Sequence, residues 1–112
     1  MSALVNDKTA LTIMTRDRTS AGNRVPIQFL ASYLDYRSAV KPAHFDACPI
    51  LLAQPAEDRW SPLHSSQLVL SPITAVPVHT VMLDNAGHYP IEEPGLTQMQ
   101  NAIAEFVMKY TQ

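Results

Sequence analysis

Apolar residues follow two different spacings along this chain of 112 residues. In residues 1–46 they recur at helical spacing, in two segments separated by a polar loop at residues 16–23. Asn6 or Asp7 is placed to cap the first helix. Pro26 suits the first turn of the second helix, because its missing N–H would have no partner there in any case. This part of the chain therefore predicts two helices, the second with a broad apolar stripe that we expect to be packed.

The rest of the chain predicts strands that alternate with helices. Residues 49–54 are a near-continuous apolar run, which is typical of a strand buried on both faces of a parallel sheet, and residues 78–83 form a second strand. Ser61-Pro62 indicates a helix start between the strands, and Glu93-Pro94 opens a last helix. This order predicts an α/β fold with two parallel strands and a right-handed crossover. Two strands alone leave a sheet edge in need of a partner.

Composition narrows the class of protein. A hydrophobic fraction of 46% and a charged fraction of 16% indicate a well-buried globular piece. A formal charge of −2 with scattered basic residues argues against nucleic-acid binding. The single cysteine, Cys48, forms no internal disulfide, and we interpret it as a small buried hydrophobe in a reducing compartment. Because no signal peptide or membrane span is indicated, we expect a cytoplasmic protein.

The candidate chemistry lies just past the two predicted strands. Asp58 follows the first strand and His88 follows the second. In an open parallel sheet, ligands bind outside the carboxyl ends of the strands, so these two side chains are placed to approach each other. A carboxylate that accepts the Nδ1–H of a histidine fixes its tautomer and stabilises the imidazolium formed in acyl transfer. Trp60 and Tyr89 flank the pair and are candidates to line an acyl pocket.

Simpler interpretations stay open for the same residues. His88 is also compatible with a loop histidine bonded to a backbone carbonyl, and Asp58 with an ion pair to Arg59 or a cap of the following turn. Glu57 is the rival acid, although we expect it to be solvated. Trp60 and Tyr89 are equally compatible with covering the core.

The remaining histidines predict no metal site. His64 falls in the first turn of a predicted helix, and His79 lies within a strand without a second ligand two or four residues away. His44 and Cys48 stand four residues apart, but two ligands are too few for zinc. We expect neither a metal nor a cofactor.

A nucleophile is missing from the pattern. The chain contains no G-x-S-x-G, since its glycines are Gly22, Gly87 and Gly95. Ser65 and Ser66 fall inside a predicted helix and Ser61 is better explained as its cap, so none has the strained elbow that exposes a catalytic serine.

Three segments carry a resemblance to a known family. They read CPILL (residues 48–52), PAEDRWSP (residues 55–62) and NAGHYPIE (residues 85–92). They resemble the C-terminal portion of the α/β-hydrolase superfamily, more narrowly its lipase and esterase-like members. The resemblance covers about residues 47–112 and implies a βαβα part of that core, whereas residues 1–46 look like the end of the helical cap. It implies that Asp58 is the triad acid and His88 the triad histidine. The other core strands, the nucleophile elbow and the oxyanion-hole loop have no counterpart here.

Two functions of different classes follow. The first is the C-terminal part of a serine hydrolase that cleaves apolar carboxylic esters, in which Asp58 orients His88 and the chain alone is inactive. The second is a non-catalytic assembly module that forms a homo-oligomer or completes a partner chain through its open sheet edge. An aspartate nucleophile, as in dehalogenases and epoxide hydrolases, is a variant of the first.

Overall fold

The computed structural model describes residues 4–19 and 26–111. In these ranges the elements are α1 (Lys8–Arg16), α2 (Ile27–Leu34), a 3₁₀ turn (Pro42–His44), β1 (Ile50–Pro55), α3 (Leu63–Leu70), β2 (Val78–Leu83) and α4 (Gly95–Tyr110). The mixed α/β content and the parallel pairing of β1 with β2 are confirmed. Within the same ranges, no helix has the length and apolar character needed to cross a membrane.

The helix starts follow from local capping chemistry. Asp7 caps α1, because its Oδ1 accepts the N–H of Ala10 at 2.7 Å. The other helices each begin directly after a proline, namely Pro26, Pro62 and Pro94. The sequence therefore predicts the start of α3 one residue too early, and Ser61 is not the cap of this helix.

The sheet aligns the ends of its two strands. Ile50 lies opposite Val78 and Pro55 opposite Leu83, so both strands stop at the same level. Backbone pairing then continues past the strands: the N–H of Ala56 donates to the carbonyl of Leu83 at 2.9 Å. The N–H of Glu57 donates to the carbonyl of Ala86 at 3.1 Å. The loops that follow β1 and β2 are therefore held side by side.

Burial is much lower than the sequence predicts. Helix α4 packs on both strands, yet only Gln54 of β1 is buried and the rest of that strand is half-exposed. Among the described residues, the buried apolar ones are Val5, Leu83 and Ala86. The prediction of a strand buried on both faces is wrong, because the described elements that pack against β1 leave most of its residues half-exposed.

Two further expectations about packing are also wrong. No residue of α2 is buried, so its apolar stripe faces solvent instead of a core. Cys48 is a free, exposed cysteine instead of a small buried hydrophobe. The apolar side chains of α2 and the thiol of Cys48 are all apolar enough to be buried, but no other part of the described chain packs against them.

Candidate active site

The structure brings Asp58 and His88 together at the carboxyl ends of the strands. His88 Nδ1 lies 3.0 Å from Asp58 Oδ2, within hydrogen-bond distance. The Asp58 side chain is 3% exposed and that of His88 is 30% exposed. The acid is thus enclosed, while the imidazole keeps contact with solvent.

The second oxygen of Asp58 is held by its own loop. Asp58 Oδ1 accepts the N–H of Trp60 at 2.7 Å and the N–H of Ser61 at 2.9 Å. Burial of the carboxyl raises the pKa of Asp58, but the N–H of Ser61, the His88 ring and the N–H of Trp60 outweigh it, so the pKa lies below its ordinary 3.8. One oxygen of Asp58 therefore caps the following turn, while the other faces His88.

Proton placement on His88 follows from its partner. An ionised carboxylate accepts hydrogen bonds only, so the bond to Asp58 places a proton on Nδ1. Among residues 4–19 and 26–111, no hydrogen bond engages Nε2 of His88. In neutral imidazole this nitrogen carries a lone pair. The arrangement can therefore accept a proton at Nε2 and stabilise the resulting imidazolium through Asp58.

Two aromatic side chains flank the imidazole. The Trp60 ring stacks on His88 with centroids 5.4 Å apart and planes inclined by 23°. The Tyr89 ring lies at the same centroid distance, tilted by 49°. Both Trp60 and Tyr89 are largely exposed, so they border the histidine without filling a core.

The other candidates do not join this site. Glu57 is exposed, and Ser66 donates its hydroxyl to Gln54 at 3.2 Å. His79 shares a 2.7 Å hydrogen bond with Tyr110, on the α4 side of the sheet. His64 is exposed on α3. In the described ranges, no group of three or more histidine, cysteine or acidic side chains is arranged to hold a metal ion.

Sequence reasoning missed two polar residues that shape the loops. Gln54 is 3% exposed, and its Nε2 donates to the carbonyl of Ser61 at 3.0 Å, which anchors the turn that binds Asp58. Glu92 accepts three backbone N–H groups around the histidine loop. The only sequence signal for Gln54 was one polar position inside an apolar run. For Glu92 it was an acid just past the candidate histidine.

The lowered pKa values of Asp58 and Glu92 predict acid sensitivity. Both carboxyls titrate below their ordinary 3.8 and 4.5 in the folded chain. A depressed folded pKa adds stability above the unfolded pKa, and this is lost as the pH falls through the folded pKa. We therefore expect the free energy of unfolding, measured by urea denaturation, to fall steadily below about pH 5.

Matched variants assign this pH dependence to the two carboxyls. Asp58→Asn and Glu92→Gln should each reduce the fall in the free energy of unfolding at acid pH, while Glu57→Gln, at an exposed acid, should leave that fall unchanged. An equally steep fall in the wild type and all three variants would contradict this assignment.

Comparison with known proteins leaves the site to be interpreted from its own geometry. No protein-family model matches the chain, and neither a curated protein nor a solved structure matches it.

Proposed function

We propose that this chain supplies the acid and the histidine of a serine hydrolase that cleaves carboxylic esters of apolar substrates. The observation that carries the proposal is the 3.0 Å contact between the enclosed Asp58 carboxylate and His88 Nδ1. Both residues follow adjacent parallel strands at the edge where open α/β sheets bind ligands.

The geometry supports the two proton transfers of ester hydrolysis. His88 Nε2 takes the proton of the attacking hydroxyl, and the imidazolium then protonates the departing alkoxide. Asp58 stays ionised throughout and holds the ring in the tautomer that leaves Nε2 free. Trp60 and Tyr89 offer an apolar border for the acyl or alcohol part of the substrate.

The nucleophile and the oxyanion donors have to come from elsewhere. These 112 residues contain no G-x-S-x-G, and the serine hydroxyl of Ser66 is engaged with Gln54. Oxyanion stabilisation is commonly the largest single contribution to acyl-transfer rates. We therefore expect the 112-residue chain by itself to hydrolyse no p-nitrophenyl ester.

The first test is the DNA sequence upstream of the Met1 codon. An open frame that runs into Met1 and encodes G-x-S-x-G would support the proposal. An aspartate at the elbow would instead favour the dehalogenase and epoxide-hydrolase chemistry. A reading frame without any elbow upstream would contradict the hydrolase proposal, unless a separate polypeptide restores activity when mixed with this chain.

The second test is the activity of the completed protein, by which we mean this chain together with the segment or partner that carries the nucleophile. We expect it to hydrolyse p-nitrophenyl esters and to lose this activity in His88→Ala. His64→Ala is the matched control, since His64 is an exposed histidine on α3. Equal activity of the two variants would exclude His88 as the general base.

A second candidate function rests on the exposed apolar surface. Each strand of the described sheet has one unpaired edge, and large apolar side chains are exposed on α2 and α3. Such surfaces mark association sites, so the chain is also a candidate module that pairs with a second copy or a partner chain. Sedimentation velocity tests it: Asp58→Asn and His88→Ala should leave association unchanged, and a chain that stays monomeric at micromolar concentration would argue against self-association.

A further inference from the structure

Glu92 joins two parts of the chain that are far apart in sequence. Its Oε1 accepts the N–H of Asn6 at 2.6 Å and the N–H of Asp7 at 3.0 Å. Its Oε2 accepts the N–H of Gly87 at 3.0 Å. One carboxylate therefore bonds the segment that precedes α1 on one side and the loop that carries His88 on the other.

The chemistry of this contact requires a carboxylate. Three N–H donors converge on two oxygens, and only an ionised acid offers acceptors alone. Burial raises the pKa of Glu92, but the N–H groups of Gly87, Asn6 and Asp7 outweigh it, so the pKa lies below its ordinary 4.5. Glu92 therefore stays charged wherever His88 would work as a base.

The backbone on both sides of His88 is anchored to the same segment. Gly87, on one side, donates its N–H to Glu92, and Tyr89, on the other, donates its N–H to the carbonyl of Leu4 at 2.7 Å. Packing at Gly87 is close, because a Cβ there would lie 3.1 Å from the Asn6 nitrogen and 3.2 Å from Val5 Cα. The position of His88 is thus set from both neighbours.

The loop that carries the acid is tied to this segment as well. Arg59, next to Asp58, donates from Nη2 to Asn6 Oδ1 at 3.1 Å. Val5 in the same segment is 1% exposed, which makes it one of the few buried side chains of the described structure. Residues 4–7 therefore form a common support for both loops, and Glu92 is the charged junction between this support and the histidine loop.

We propose that Glu92 is a positioning residue for His88: its carboxylate fixes the histidine loop on residues 4–7 and so holds the imidazole against Asp58. This inference rests on the proposed function, in which the alignment of Asp58 and His88 matters for proton transfer. The carboxylate of Glu92 bonds the backbone N–H of Gly87, so it acts on His88 through the backbone of the preceding residue.

The test compares Glu92→Gln with a matched control at the next residue. Glutamine has one acceptor oxygen, so its amide group must face either Gly87 or the pair Asn6 and Asp7, where it meets another donor. Glu93→Gln is the control, because Glu93 is an exposed acid whose side chain accepts the N–H of Thr97 at the start of α4.

The readout is NMR of the 112-residue chain, which needs no hydrolysis. The proton on His88 Nδ1 should be visible in the wild type and in Glu93→Gln, and lost to exchange in Glu92→Gln. The His79 ring, bonded to Tyr110 of α4 and away from the strand ends, serves as an internal monitor of folding and should keep its signals in all three proteins. In the completed hydrolase, kcat of Glu92→Gln should fall about 100-fold with a smaller change in KM.

Each outcome decides the proposal. Loss of the His88 signal with retention of the His79 signals supports it, and an unchanged His88 signal overturns it. If Glu92→Gln unfolds the chain, Glu92→Asp is measured instead, because aspartate keeps the charge but has a shorter side chain. Loss of the His79 signals in Glu92→Asp as well would overturn the proposal, because Glu92 would then stabilise the whole fold. A completed protein without esterase activity would contradict the proposed function but leave the His88 readout intact.

Discussion

Replacement of Asp58 by asparagine is expected to lower kcat of the completed hydrolase by about 10⁴-fold while preserving the geometry of the site. The N–H groups of Trp60 and Ser61 hold the oxygen at the Oδ1 position. The asparagine oxygen should stay there, so its amide group takes the position that faces His88 Nδ1. An amide donates a hydrogen bond to that nitrogen, and the ring proton moves to Nε2, the atom that has to accept one.

The tautomer provides a direct measurement beside the kinetics. In ¹⁵N NMR of the chain, His88 should carry its proton on Nδ1 in the wild type and on Nε2 in Asp58→Asn. Glu57→Gln is the matched control, because Glu57 is the neighbouring acid and is exposed. If Asp58→Asn retained the Nδ1 proton, or kcat within about tenfold of the wild type, Asp58 would not be the residue that orients His88.

Replacement of Leu83 by alanine is expected to lower the free energy of unfolding by about 2–5 kcal/mol. Leu83 is fully buried at the end of β2. It lies beside Gly95, since a Cβ added at Gly95 would lie 3.4 Å from the Cβ of Leu83. Truncation removes apolar contacts and leaves a cavity at that point. Small domains are stable by only about 5–15 kcal/mol, so this single change should remove a substantial part of the free energy of unfolding.

Urea denaturation followed by circular dichroism measures this effect. Leu68→Ala is the control, since Leu68 is 76% exposed on α3 and its truncation should change stability by no more than about 0.5 kcal/mol. Equal losses in the two variants would mean that Leu83 is not part of a cooperative core.

Local patterns in the sequence were sufficient for the elements and for the central pair of the site. Proline positions and apolar spacing predicted the starts of all four described α-helices to within one or two residues, and residues 78–83 matched β2. Asp58 and His88 were identified because parallel strands end at the same edge, a geometric rule that holds whatever the packing around them. The sequence left Asn6 and Asp7 open as the cap of α1, and the structure shows that Asp7 caps it through a bond to Ala10 within one turn.

Contacts distant in sequence could not be predicted in this way. Glu92 bonds the backbone of Asn6, and no local periodicity indicates which N–H groups a carboxylate will meet after the chain has folded. The exposure of Cys48 and of α2 also contradicted the pattern, because apolar character states what a side chain favours and not whether the fold supplies a surface to cover it.

The sequence by itself thus determined the α/β class, the order of the elements and the two side chains at the strand ends, since each depends on residues within a few positions of one another. Only the tertiary structure decided that Asp58 is enclosed while His88 stays partly exposed, and that Glu92 bonds the backbone of the loop that carries His88. The physical reason is that burial and hydrogen-bond partners are properties of surfaces, and surfaces form only when distant segments such as residues 4–7 and the histidine loop meet.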